Sequence, residues 1–254
     1  MEIHSELSDV SRYLASKQHL RLEDMKPDYD AHIRAVSKFK PIAPSSRMIE
    51  VGTGTGWFPL LCEQSGLHCE GLEISPQLIE HAEQWGARYG LKPTIRLGNI
   101  EEAGIGENLY DVVWSNSVFE HIEQWRLALN HIYTALKPGG ALFFISTNKF
   151  RFKSSEYDFP LYDWLPDKMR YRLRVARQGP EIMKLGIDFN QFRYPQLRRV
   201  FRETGFTKIY DRIDVSRVEG DGLKHKMVRM ARSNPFLREV ILTFCDATVF
   251  VCLK

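Results

Sequence analysis

Glu50-Val51-Gly52-Thr53-Gly54-Thr55-Gly56 follows directly from the short strand-like run Met48 to Val51, and an apolar helical pattern starts at Trp57. Glycines at alternate positions let a chain turn tightly and bring its backbone close to a ligand. A helix that begins just after such a turn directs unpaired N–H groups toward whatever lies there, which suits a carboxylate. The competing reading is a tight turn with no ligand. A second competitor, the dinucleotide fingerprint G-x-G-x-x-G, needs its third glycine at position 57, which is Trp57.

Working outward, strand and helix signals alternate. Cys69 to Ile74 reads as a second strand and Pro76 to Tyr89 as a helix, with Ser75 as its N-cap and Pro76 at its first position. Thr94 to Leu97 is a weaker strand and Asp111 to Ser115 a strong one. Trp125 to Leu136 is a helix stopped by Lys137-Pro138-Gly139-Gly140, and Ala141 to Thr147 an apolar strand. Repeated β-α-β units require a doubly wound α/β fold, with a mostly parallel sheet and helices on both faces. The pattern lapses from Asn148 to Asn190, an aromatic and basic stretch that reads as a lid inserted after the fifth strand. It resumes with a helix from Pro195 to Thr204, a strand from Lys208 to Ile213, helices around Lys224 to Arg232 and Pro235 to Leu242, and a closing strand Thr248 to Leu253. Before Ser46 lie polar helices, with Tyr29, Ile33, Val36 and Lys40 on one stripe and Pro41 and Pro44 ending the region. The expected organisation is one domain: a helical cap (1–46), a cofactor-binding core (47–147), a lid (148–190) and the rest of the core (191–254).

Of the 254 residues 43% are hydrophobic and 26% charged, the balance of a soluble globular chain able to bury a core. Lys and Arg number 35 against 32 Asp and Glu, and a net charge of +3 is too balanced to argue by itself for nucleic acid, which is not the expected partner. Cys62, Cys69, Cys245 and Cys252 form no C-x-x-C pair and read as thiols in a reducing compartment. The start lacks a signal-peptide pattern, and the apolar run Val240 to Leu253 is interrupted by Asp246 and too short to span a bilayer. A cytoplasmic protein is expected.

Two further positions carry chemistry. Glu73 ends the second strand roughly 20 residues beyond the loop, where a carboxylate accepts hydrogen bonds from ribose hydroxyls; its plainer reading is a solvated strand end. Gly98-Asn99-Ile100 follows the third strand where an adenine would rest. The Asn99 amide suits the amino edge of that ring and Ile100 its face; the plainer reading is a polar turn.

From Met48 to Phe150 the sequence resembles the class I S-adenosylmethionine-dependent methyltransferases, particularly the small-molecule group around ubiquinone and menaquinone biosynthesis. The resemblance rests on Ile49 to Gly56, Leu72-Glu73-Ile74-Ser75, Tyr110 to Ser115, Val118-Phe119-Glu120-His121 and Leu136-Lys137-Pro138-Gly139-Gly140, in that order over about two-fifths of the chain. It implies a Rossmann-like sheet of seven strands with the last antiparallel, and S-adenosylmethionine as cofactor. It places Glu50 near the cofactor's amino group and Glu73 on its ribose. Gly52, Thr53, Gly54, Gly56, Ile74, Asn99, Ile100 and Ser115 complete the expected cofactor contacts, although Asn99 departs from the Asp more usual there. Some relatives bind a divalent metal through two Glu and a His; this chain keeps Glu120 and His121 but has Ser117 in place of the other Glu, so no metal is expected.

Methyl transfer to a hydroxyl needs a base, and His121 is the candidate, its imidazole being able to accept a proton near neutral pH. The plain alternative is a histidine that packs the start of the next helix. Asn116, Tyr162 and Trp164 are the candidate acceptor contacts. Ser115-Asn116-Ser117-Val118 lacks the prolines typical of enzymes acting on exocyclic or amide nitrogens, and no Cys lies near the fourth or fifth strand for pyrimidine C5 chemistry. The expectation is O-methylation of a small molecule such as a sugar or phenol. N- or C-methylation and a non-catalytic cofactor-binding module stay as alternatives. Basic runs at Lys168 to Arg177 and Lys224 to Arg232 are either solvated faces or contacts for an anionic or amphiphilic acceptor or a membrane surface. Oligomeric state is not legible here.

Overall fold

The computed structural model of the chain describes residues 10–152, 160–179, 190–217, 220 and 222–254. Seven strands form one sheet in the order β3-β2-β1-β4-β5-β7-β6. They are β1 (Met48–Val51), β2 (Cys69–Glu73), β3 (Ile95–Leu97), β4 (Tyr110–Asn116), β5 (Leu136–Thr147), β6 (Lys208–Asp211) and β7 (Ala247–Leu253). β1 to β5 pair in parallel and β7 runs antiparallel to both neighbours. This is the expected mostly parallel sheet with an antiparallel last strand.

Period-two alternation explains why both faces are covered. Ile49, Val113, Leu142, Phe144, Phe250 and Cys252 point to one face. There they meet α5 (Trp125–Ala135), α7 (Tyr194–Thr204), and the buried sides of α9 (Leu223–Ser233) and α10 (Pro235–Phe244). Their sequence neighbours Met48, Val112, Trp114, Phe143 and Val251 point to the other face. That face is closed by α2 (Lys26–Ser37), α3 (Trp57–Gln64) and Trp85 of α4 (Pro76–Ala87). Consecutive apolar residues such as Val112 to Trp114, Ala141 to Ile145 and Val249 to Leu253 are what a sheet buried on both sides requires.

Several boundaries differ from expectation for local reasons. β6 stops at Asp211 instead of reaching Ile213, because the Asp211 carboxylate accepts from the Ile213 N–H at 2.9 Å and caps α8 (Arg212–Val215). β5 begins at Leu136, which pairs with Tyr110 across an irregularity before Val112 meets Ala141. Tyr29 and Val36 of α2 are buried as their stripe requires, whereas Lys40 lies past the helix and pairs with Asp111 at 3.9 Å. Of the proposed lid, 153–159 and 180–189 lie outside the described residues; the described part contains a 3-10 turn at Tyr162–Trp164 and α6 (Asp167–Gln178). At the N-terminal side, α1 spans Val10–Lys17. Among the described residues no helix is long and apolar enough to cross a membrane. All four cysteines are free thiols.

Candidate functional site

The order of the sheet changes direction between β1 and β4, and the loops leaving the carboxyl ends of β1, β2, β3 and β4 converge there, as expected at a topological switch point. They enclose a cavity of about 480 Å³, within the range of small-molecule sites.

The loop after β1 forms because its glycines adopt conformations that other residues avoid. Gly52, Gly54 and Gly56 have φ of +67°, +57° and +77°. The Gly52 and Thr53 N–H groups donate to the Leu72 carbonyl at 2.8 and 3.2 Å, which ties the loop to β2. A Cβ on Gly52 would lie 2.5 Å from a Val118 methyl, so this glycine allows the loops after β1 and β4 to touch.

Glu73 holds the cavity's second wall. Its carboxylate accepts from the backbone N–H of Gly54 at 2.7 Å, Ile74 at 3.0 Å and Ser75 at 3.2 Å. One side chain therefore fixes the loop after β1 against the end of β2. Ser75 then caps α4, accepting from the Leu78 N–H at 3.3 Å. Burial raises the Glu73 pKa, against the opposing effect of those three donors.

Glu50 is 4% exposed. Its carboxylate accepts from the Thr53 hydroxyl at 2.5 Å. Burial, assisted by the negative charge of Glu73, pushes its pKa up to about 8. Two carboxylates whose ionised forms are disfavoured by burial, on the walls of one cavity, fit a ligand that brings its own positive charge. The sign of the effect can be checked on the ligand-free protein. Between the ordinary value of 4.5 and about 8 the folded chain keeps a proton that the unfolded chain has lost. Stability therefore falls as pH rises through that window and levels off above it. Glu50→Gln should flatten this slope and be more stable than the native chain above pH 8 by more than about 1.4 kcal/mol, the worth of one pKa unit. Thermal unfolding across that pH range tests it; parallel curves for both proteins would remove Glu50 as the source.

The structure brings most of the sequence-derived positions to this cavity. Glu50, Gly52, Thr53, Gly54, Glu73, Ile74, Asn99, Ile100, Asn116 and His121 all line it. Asn99 is engaged locally, its Oδ1 accepting from the Glu101 N–H at 3.0 Å and its Nδ2 donating to Glu102 at 3.4 Å. His121 sits on the 3-10 turn Phe119–His121 that follows β4.

Four positions lie elsewhere. Gly56 faces α4, where a Cβ on it would lie 2.6 Å from the Ala82 methyl, and so serves packing. Ser115 is fully buried in β4, and its hydroxyl has no hydrogen-bond partner among the described residues. Tyr162 is buried, and its hydroxyl donates to the Arg170 carbonyl at 3.2 Å. Trp164 donates from Nε1 to the Arg151 carbonyl at 3.0 Å and packs on Phe150 and Phe244. Neither aromatic lines the cavity, because both side chains are committed within the segment after β5. Glu120 is buried, accepting from the Ser146 hydroxyl at 2.9 Å, and no group of three or more metal-ligating side chains occurs among the described residues.

Among the lining residues that the sequence reading did not assign to the site are two from outside the sheet loops. Tyr13 and Lys17 of α1 line the cavity, with the Tyr13 hydroxyl 3.6 Å from where a Gly54 Cβ would be. Their i,i+4 spacing puts them on one helix face, the signal that was available.

A family model described as a methyltransferase domain matches residues 18–210. A malonyl-[acyl-carrier protein] O-methyltransferase of Erwinia pyrifoliae is 30% identical over 98 residues, covering 39% of this chain and 36% of that protein. Phosphoethanolamine N-methyltransferase 2 of Caenorhabditis elegans is 27% identical over 118 residues, covering 44% and 26%. The matched stretch thus spans well under half the length of these relatives. The structure is similar in fold to a Haemonchus contortus phosphoethanolamine N-methyltransferase bound to phosphomonomethylethanolamine and S-adenosylhomocysteine. The TM-score is 0.59 at 16% identity, over 89% of this chain and 52% of that one.

Proposed function

The chain belongs to the methyltransferase-domain family, and from that premise we propose that it transfers the methyl group of S-adenosylmethionine to a small-molecule acceptor, with oxygen as the receiving atom. The observation that carries this reading is the pair of buried carboxylates, Glu50 and Glu73, on the walls of one cavity at the carboxyl ends of β1 and β2. When bound, the cofactor supplies an electrophilic methyl on a sulfonium, beside a cationic amino group.

The residues have separable tasks. Glu50, ionising opposite a cationic amino group, anchors one end of the cofactor, and Thr53 orients that carboxylate. After meeting three backbone donors, Glu73 keeps about one free acceptor site, on the Oε2 that also bonds the Gly54 N–H, for a ribose hydroxyl. Ile74, Asn99 and Ile100 border the purine end. The glycine loop lets the backbone approach without side chains intervening. Asn116 and His121 border the acceptor; His121 would take the hydroxyl proton as the acceptor oxygen bonds to the methyl carbon and the methyl–sulfur bond breaks, and α1 closes the cleft through Tyr13 and Lys17. Alignment of acceptor and methyl group provides the rest of the rate.

His121→Ala should lower turnover at neutral pH by about 10²–10⁴-fold with little change in cofactor affinity. Unchanged turnover would remove His121 as the base. Nitrogen as the receiving atom is the second reading, supported by the match to a phosphoethanolamine N-methyltransferase. Incubation with methyl-labelled cofactor and fractionated metabolites, followed by identification of the labelled product, decides between oxygen and nitrogen. Cofactor binding with no labelled product would sink both in favour of a binding module.

A further inference from the structure

Leu223, Met227 and Met230 stand at i, i+4 and i+7 on α9, a single helical stripe, and all three are exposed. The side of α9 that packs on the protein is a different one, carrying Val228 and Ala231. α10 repeats the arrangement. Its Leu242 is buried, whereas Phe236, Val240 and Phe244, at i, i+4 and i+8, are exposed. Asn234 ends α9 and caps α10, so both stripes belong to one helical hairpin.

The apolar surface continues beyond α10. The Phe244 ring lies 5.8 Å from Phe152 and 5.9 Å from Trp164, each of which is itself exposed. Leu161, whose N–H donates to the Phe152 carbonyl at 3.0 Å, extends it further. Leu223 is 77% and Phe236 79% exposed. Scattered exposed apolar residues need no explanation, but two stripes and an aromatic cluster joined in one region mark an interaction surface.

Charge identifies the partner. On α6, α9 and α10 the exposed charges include Lys168, Arg172, Arg177, Lys226, Arg229 and Arg232 against Asp167 and Glu239, whereas Arg170 and Arg174 are buried and Arg238 is paired with Asp211 and Asp214. Lys226 and Arg229 are exposed on α9, and Lys168 and Arg172 flank the exposed Met169 on α6. A second copy of the chain meeting this face about a two-fold axis would set like charges against each other. An anionic lipid surface would instead satisfy both features, apolar side chains entering the headgroup boundary and cations meeting lipid phosphates. That is the two-signal requirement for stable peripheral attachment.

We propose that the face formed by the exposed stripes of α9 and α10 and the Phe152–Trp164–Phe244 cluster docks this chain on anionic bilayers. None of these residues lines the cavity, so the inference is independent of the methyl-transfer reading. The test is co-sedimentation of the full chain with vesicles of phosphatidylcholine, with and without phosphatidylglycerol. The native chain should pellet with the anionic vesicles and be released by salt. Met230→Ser with Phe236→Ser should weaken that binding at least about tenfold, since each replacement removes an inserted apolar group. Thermal unfolding should not change, because both side chains are exposed. Lys226→Glu with Arg229→Glu should abolish the preference for anionic vesicles. Failure of the native chain to bind, equal binding to both vesicle types, or undiminished binding by the serine variant would each overturn the proposal. So would self-association in sedimentation velocity that the serine variant abolishes, in the absence of vesicle binding.

Discussion

Replacing Glu73 by Ala is expected to weaken S-adenosylmethionine binding by at least about tenfold, as read by titration calorimetry. A charge-assisted hydrogen bond contributes about 1.5–3 kcal/mol, and about 1.4 kcal/mol is a factor of ten in affinity. The loss of a ribose contact alone reaches that threshold. The structure adds a second cost, because the same carboxylate holds the N–H groups of Gly54, Ile74 and Ser75. Without it the Gly54 loop loses its tie to the end of β2, and the cavity is less organised before the ligand arrives. Glu73→Gln separates these effects. It retains one accepting oxygen and no charge, so it should bind more tightly than the Ala variant but less tightly than the native chain. Unchanged affinity in both variants would remove Glu73 from the ribose.

Gly52→Ala should be comparably damaging through geometry alone. A left-handed conformation costs an L residue about 1–2 kcal/mol, and Gly52 has φ +67°. The added methyl would also lie 2.5 and 2.6 Å from the two Val118 methyls. A β-branched side chain has little rotameric freedom with which to yield, and overpacking of this kind costs about 1–3 kcal/mol. The unfolding temperature should drop, and cofactor affinity should fall more than about tenfold as the loops after β1 and β4 separate. Gly52→Ala combined with Val118→Ala should recover the steric part and leave the conformational part. If the double variant is no better than Gly52→Ala alone, contact with Val118 is not the cause.

How much of this was legible in the sequence follows from the range of each interaction. The strand-loop-helix at Met48–Gln64 and the Ser75 cap depend on residues a few positions apart, and both were read from spacing. The mostly parallel sheet followed from the β-α-β alternation, and its seven strands with the last antiparallel from the resemblance; the strand order came from the structure. The end of β6 was missed because an aspartate that caps its own next turn looks, in sequence, like a polar residue within a strand. Tyr162 and Trp164 were assigned to the acceptor on aromatic character, which does not reveal which way a side chain turns. Folding gave their polar atoms to the Arg170 and Arg151 carbonyls.

The glycine loop and its two flanking carboxylates were legible in the sequence, since glycine adopts those φ values at least cost and residue order puts Glu50 and Glu73 at or next to the ends of β1 and β2. Their chemistry was decided by tertiary structure. A pKa of about 8 at Glu50 arises from its burial and the neighbouring Glu73 charge, both products of packing elements distant in the chain. The same holds for α1, whose Tyr13 and Lys17 join a cavity built from residues 33 or more positions away, and for the outward stripes of α9 and α10. Desolvation and long-range contact are properties of the assembled fold, and no local pattern encodes them.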